Sequence, residues 1–336
     1  MSTVLGWDVG GVNVKGALVR DGAVLEARTA PFELQRAPDR LPVLLRELAA
    51  ELGAAPHDRH ALTMTAELSQ LFRTKREGVS FVLDAAVRAF PAAVIGVYTV
   101  DGRFLPPEDA NAVPLLVAAS NWHATASVVS QEWRDCILVD TGTTTTDVIP
   151  IRGGEVTAEG RTDPERLASG ELLYLGTLRT PVEAVTREAP FRGRMAGVSA
   201  EAFALVGDVH LWRGDLSPEQ YTVPTPDGRP ATREFARERI ARVVCADLEM
   251  LDDAAIDAIA AHVADEQVER IAAALARVHD RHPRALTVVA AGLGAFLAVR
   301  AAARLGLQAV ALADAMGAEA ARAAPAAAVA LLLERH

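Results

Sequence analysis

Two stretches of this chain, VLGWDVGGVNVKGALVRDGAVLEA at residues 4–27 and ILVDTGTTTTDVIPIRGGEVTAEG at residues 137–160, align without a gap once Asp8 is set over Asp140, one residue out from their first letters. Asp8 falls on Asp140, Gly10 on Gly142, Val19 on Ile151, Arg20 on Arg152, Gly22 on Gly154 and Val24 on Val156. Each reads as an apolar strand, an Asp-x-Gly turn, a second strand, a glycine hairpin and a third strand; in the first copy Asp21-Gly22 supplies the positive φ angles such hairpins need. Chance convergence of two hairpins is the alternative. A true repeat predicts a duplicated fold whose halves each aim one Asp-x-Gly turn at the cleft between them, gripping a bound group from both sides.

The length agrees with two halves. A chain of 336 residues exceeds what one hydrophobic core usually organises, and 50% of it is apolar. Periodicity predicts helices near 39–53, 79–90 and 112–131, with strands near 60–64 and 93–100. The expected fold class is therefore α/β with two domains, each built round a mixed sheet, over 1–133 and 134–336. The second carries an insertion at about 186–250 around the turn-rich YTVPTPDGRPATRE.

Charge excludes some partners. With 34 Lys and Arg against 44 Asp and Glu, the formal net charge of −10 repels nucleic acid and anionic membranes, so an anionic ligand must be held locally. No signal-peptide pattern opens the chain and no apolar run is long enough to span a bilayer, which predicts a cytoplasmic protein. Cys136 and Cys245 give neither a disulfide framework nor zinc spacing and are expected to be buried. The histidine pairs His57/His60 and His279/His282 are expected to face solvent, and His123 to be structural. The oligomeric state is left open, a homodimer included.

The first turn fits no dinucleotide fingerprint and no Walker loop, because Gly10, Gly11, Asn13 and Lys15 lead into a strand instead of a helix. A strand-turn-strand hairpin still presents backbone N–H groups to an oxyanion, and glycines let it approach. In the second copy Gly142 and the hydroxyls of Thr143, Thr144 and Thr145 lie between Asp140 and Asp147, although Thr is also an ordinary strand residue. Asp8 and Asp140, one from each half, can hold a hydrated Mg²⁺ bridging phosphate oxygens, since magnesium uses only one or two carboxylates and keeps several waters.

The paired hairpins, followed by LTVVAAGLGAFLAVRAAARLG at 286–306, resemble the phosphate-1, phosphate-2 and adenosine elements of the superfamily of sugar kinases, actin and the heat-shock chaperone ATPases. The resemblance implies a duplicated actin-like ATPase fold of ribonuclease H-like halves. TMTAELSQLFRTKREGV (63–79), RLASGELLYLGTLRTPVEAV (166–185) and VVCADLEML (243–251) narrow it to the hydantoinase/oxoprolinase-like branch, among proteins linked to tetrahydromethanopterin-dependent one-carbon metabolism. Hydantoinase-type relatives carry Gly where this chain has Ala66, so their amide chemistry is not carried over.

This narrower resemblance implies an ether-forming transferase of methylofuran biosynthesis that joins an aminomethylfuran-methyl diphosphate to gamma-glutamyltyramine and releases pyrophosphate. An ATP-dependent kinase or hydrolase of small molecules is the alternative that the superfamily motifs favour. The first chemistry needs stabilisation of the leaving diphosphate, by Mg²⁺ (or Mn²⁺) and preorganised donors. It also needs a carboxylate to take the phenolic proton, whose unperturbed pKa is about 10. Asp147 and Glu67 are the candidates. Arg73, Lys75 and Arg76 form a basic cluster that can clamp phosphate or a glutamyl carboxylate, or be a solvated loop. Glu171 and Arg179 are expected to line the substrate cleft, and Gly292 and Gly294 to admit a nucleotide base or the organic substrate.

Overall fold

The computed structural model describes residues 3–55 and 58–336; His57 of the first expected histidine pair lies outside them. The first repeat unit folds as β1 (Thr3–Val9), β2 (Asn13–Arg20) and β3 (Ala23–Pro31), followed by β4 (Arg59–Met64), β5 (Ile95–Tyr98) and β6 (Phe104–Leu105). They form one mixed sheet in the order β3-β2-β1-β4-β5-β6, with β1 antiparallel to β2 and parallel to β4.

The second unit gives β7 (Cys136–Thr141), β8 (Thr146–Arg152) and β9 (Glu155–Val156), then β10 (Leu172–Leu173). A separate hairpin, β11 (Glu188–Phe191) and β12 (Arg194–Gly197), precedes β13 (Thr287–Ala291) and β14 (Gln308–Ala311). The second sheet runs β10-β8-β7-β13-β14 with β9 also on β8. Strand for strand, β3-β2-β1-β4-β5 repeats as β9-β8-β7-β13-β14.

The turns repeat as closely as the strands. Gly10 N–H donates to Asn13 O at 3.0 Å, and Gly142 N–H to Thr145 O at 2.9 Å. The next turns place Asp21 and Gly22 at φ 51° and 74°, and Gly153 and Gly154 at 62° and 85°. These left-handed angles match the right-handed twist of a two-residue hairpin, which is why glycine and aspartate occupy them.

Helices cover both faces. Leu41–Glu51 and Lys75–Ala89 bury Leu41, Leu45, Val79 and Val82 against one side of the first sheet. Asp253–Arg281 and Ala295–Arg304 do the same for the second. The other side of the first sheet is closed by Asn121–Glu132 and by the last helix, Ala324–Glu334. A Cβ at Gly6 would collide with the Ala326 carbonyl, so the alanine-rich C-terminus packs its backbone almost onto β1. The segment 134–336 is therefore not one packing unit, because its final helix belongs to the first sheet.

Three local expectations are corrected. The single helix over 112–131 is three pieces, Pro107–Ala112, Pro114–Val117 and Asn121–Glu132. Pro114 lacks the N–H to continue a helix, Ala118 bridges to Met64, and Ala119 turns left-handed at φ 50°. His60 is buried, accepting a 3.0 Å hydrogen bond from Trp7 Nε1 beneath the ring of Phe90. Cys136 is buried, but Cys245 is exposed. His123 is structural as expected, its Nδ1 lying 2.9 Å from the Tyr98 hydroxyl.

The 186–250 region holds the β11–β12 hairpin and the helices Val206–Arg213 and Arg233–Arg242. They are pinned by an Arg239–Asp208 ion pair of 2.7 Å, both side chains fully buried, to which the Tyr221 hydroxyl adds a hydrogen bond.

Candidate active site

The two Asp-x-Gly turns open into one cleft of about 670 Å³. Asp8, Gly10, Gly11, Asn13 and Lys15 line it from the first half, and Asp140, Gly142, Thr143, Thr144, Thr145 and Asp147 from the second. The strands set this arrangement: Asp8 lies opposite Lys15 across β1–β2, and Asp140 opposite Asp147 across β7–β8. The alignment that puts Asp8 on Asp140 also puts Lys15 on Asp147. One half thus presents an acid and a base, the other two acids.

The charges are strongly coupled. Lys15 Nζ sits 3.2 Å from Asp8 Oδ2. Burial pulls its ammonium down, but Asp8, Asp140 and Asp147 outweigh this and hold it above its ordinary value. Burial and the neighbouring Asp147 push Asp140 up to about 7. Burial also raises Asp147, against the opposing pull of Arg166. Arg166 Nη1 donates to Asp147 Oδ1 at 2.8 Å and Nη2 to the Glu171 carbonyl, while its guanidinium lies 4.0 Å over the Trp122 ring.

Both turns leave room for an oxyanion. A Cβ at Gly11 would meet nothing within 4 Å, and one at Gly142 only the Thr145 carbonyl at 3.7 Å. The second turn is buttressed from below: Thr177 N–H donates to Gly142 O, Leu178 and Arg179 N–H to Thr143 O, and the buried Thr146 hydroxyl to Leu175 O. Gln267 Nε2 holds the Gly176 carbonyl at 2.8 Å. Arg179, so anchored, lines the cleft beside Thr180.

Glu67 enters from the turn after β4, with its side chain 1% exposed and both carboxylate oxygens free of hydrogen bonds. Burial pushes it up to about 7, with Lys75 opposing. Lys75 stands 3.9 Å from Glu67 Oε1 but bonds Asp163 of the other half at 2.7 Å, bridging the halves at the cleft.

Five expected residues are placed elsewhere. Glu171 is fully buried and accepts from the N–H groups of Glu159 and Gly160 and from Arg281, so it holds a loop and does not line the cleft. Arg73 and Arg76 are exposed outside it; only Lys75 of that basic cluster approaches. Gly292 and Gly294 lie beneath the second hairpin, where a Cβ would strike Asp140 and Thr141 at the first and Thr177 and Thr141 at the second. Their smallness serves the protein's own backbone. The sequence reading missed Arg166, Asp163 and Trp122. Arg166 stood within a quoted motif, but nothing local links it to an aspartate nineteen positions away.

A model of the hydantoinase/oxoprolinase family matches residues 58–336. The chain belongs to the hydantoinase/oxoprolinase family. Within it, the chain is similar to the (4-{4-[2-(gamma-L-glutamylamino)ethyl]phenoxymethyl}furan-2-yl)methanamine synthase of Methanocaldococcus jannaschii, 42% identical over 256 residues, which are 76% of this chain and 75% of that one. The synthase of the same name from Methanococcus vannielii is 43% identical over 127 residues, 38% of this chain and 57% of that one. Among solved structures, nucleotide-free acetone carboxylase aligns over 97% of this chain and 70% of that chain, with 11% identity and a TM-score of 0.55. That likeness is one of fold alone, and the fold is the duplicated actin-like one that the superfamily resemblance implied. Among the described residues no helix is long and apolar enough to cross a membrane.

Proposed function

We propose that this protein is the methylofuran-biosynthesis transferase that condenses an aminomethylfuran-methyl diphosphate with gamma-glutamyltyramine, forming an aryl ether and releasing pyrophosphate. Identity of 42% over three-quarters of the chain supports the reaction. The observation that carries its mechanism is the meeting of two phosphate-type hairpins, one from each half, in a single cleft.

Lys15 and Arg179 supply positive charge to the cleft, and the backbone and hydroxyls of residues 143–145 face the place where a diphosphate would lie. Such preorganised donors stabilise charge as it develops on a leaving group. As the bond from the methylene carbon on furan position 4 to the diphosphate oxygen breaks, its electron pair leaves with the diphosphate and the furan ring spreads the positive charge on carbon. The phenolic oxygen then bonds that carbon. Asp147 accepts the phenolic proton: Arg166 holds its Oδ1, leaving Oδ2 for the task, and its raised pKa makes it a stronger base than an ordinary carboxylate.

The acids fit a hydrated divalent cation, since Asp8 Oδ1 is buried without a hydrogen-bond partner and Asp140 lies in the same cleft. No group of three or more His, Cys, Asp or Glu side chains among the described residues forms a metal cage, and magnesium does not require one. Asp8 and Asp140 would hold Mg²⁺ or Mn²⁺, which supplies charge neutralisation for the leaving diphosphate. The alternative, an ATP-dependent kinase or hydrolase, shares the paired hairpins, but in its third motif Gly292 and Gly294 turn their Cβ positions onto Asp140, Thr141 and Thr177.

The test is mass spectrometry with a parallel pyrophosphate assay on protein given Mg²⁺ and both substrates, with ATP omitted. Ether and pyrophosphate in equal amounts are expected. Absence of ether, together with ADP formation when ATP is supplied, would overturn the proposal.

A further inference from the structure

Glu67 is built into the cleft without a hydrogen-bond partner for its carboxylate. Its carboxylate oxygens receive no hydrogen bond, and burying a polar group unsatisfied costs free energy that folding alone does not return. Its position is fixed: helix Lys75–Ala89 packs so closely that a Cβ at Gly78 would press on the Glu67 backbone. Lys75 does not satisfy it, being drawn to Asp163 at 2.7 Å and left 3.9 Å from Glu67. One lysine shared between two carboxylates leaves the Glu67 oxygens without a donor of their own. What is missing is a cation with several N–H donors.

We propose that Glu67 is the recognition site for a primary alkylammonium of the substrate, the aminomethyl arm of the furan donor. This rests on the reaction proposed above. The position favours the donor: Thr65 N–H, two residues before Glu67, donates to Val9 O at 2.9 Å, joining the Glu67 turn to the first phosphate hairpin. A ligand that reaches both must carry its ammonium and its diphosphate close together, as the two arms of one five-membered ring do. The α-ammonium of gamma-glutamyltyramine lies at the far end of a long chain from the phenolic oxygen. Glu67 then binds and orients, and proton acceptance is left to Asp147. The ammonium would also hold the Glu67 carboxylate ionised against its burial.

The experiment crosses enzyme with substrate. Wild type and Glu67→Gln are assayed by pyrophosphate release with the aminomethyl donor and with a donor bearing methyl in its place. Each donor is paired with gamma-glutamyltyramine and with its glutaryl analogue, which lacks the α-ammonium. Wild type should lose about 100-fold in kcat/KM on losing the donor's amine, and Glu67→Gln should lose as much with the intact donor but nothing further with the methyl donor. Inhibition by pyrophosphate should be unchanged in the variant, showing an intact cleft. Furfurylamine should compete with the donor in wild type and fail to do so in Glu67→Gln.

Equal slowing of Glu67→Gln with both donors, or loss of pyrophosphate inhibition, would overturn the assignment in favour of a proton-transfer or structural role. Discrimination that follows the acceptor's ammonium would overturn it in favour of the glutamyl arm. No ether from wild type with the intact donor would bring down the transferase reading itself, and this inference with it.

Discussion

Burial acts on Glu67 in a way that can be measured without any substrate. In the ligand-free protein its carboxyl is pushed from an ordinary 4.5 up to about 7, so the folded state binds its proton more tightly than the unfolded state. The contribution to stability is fully present below 4.5 and is lost as pH rises through about 7. Between pH 8 and pH 5 wild type should therefore gain on the order of 2 kcal/mol relative to Glu67→Gln in urea denaturation. A constant difference across that range would contradict the burial argument. The residues that proved legible in sequence were those fixed by the repeat: Asp8, Gly10, Lys15, Asp140, Gly142 and Asp147 all line the cleft. Glu171 has the same local appearance as a cleft acid, yet it points at the N–H groups of Glu159 and Gly160, a preference that only the folded loop reveals.

At the scale of elements, the Asp-x-Gly turn is held from beneath by the turn that follows β13. Gly292 adopts φ 79°, and a Cβ there would strike the Asp140 carboxylate and the Thr141 carbonyl. Gly292→Ala should cost about 1–3 kcal/mol of stability and displace Asp140. It should lower kcat more than it raises the donor KM; unchanged stability and turnover, by thermal melting and steady-state assay, would contradict the contact. The hairpins were readable because Asp21-Gly22 and Gly153-Gly154 announce their own φ angles. The helix expected over 112–131 was not, because Ala118 leaves the helix to bridge Met64 on a neighbouring strand, a tertiary preference that overrides the local apolar pattern.

The whole molecule is one supersecondary design used twice and tied together at three places. Lys75 and Asp163 join the halves at the cleft, the hairpins face each other within it, and the final helix runs back from the second half to close the first sheet. The first two ties contain residues that sequence spacing singled out, Lys75 and the hairpin acids. The third was hidden, since an alanine-rich helix shows no partner until Gly6 is seen against Ala326. The duplication makes a specific demand on binding, namely that one diphosphate is held by both halves together. The most direct measurement is calorimetric titration of pyrophosphate in Mg²⁺ into wild type, Gly11→Val and Gly142→Val. Neither glycine has a left-handed φ, and a Cβ at either would meet no more than an ordinary contact, so both variants should fold. Each should weaken pyrophosphate binding at least about tenfold, corresponding to roughly 1.4 kcal/mol, with an unchanged melting temperature. If one variant binds as wild type does, a single half holds the anion and the two-sided grip is wrong.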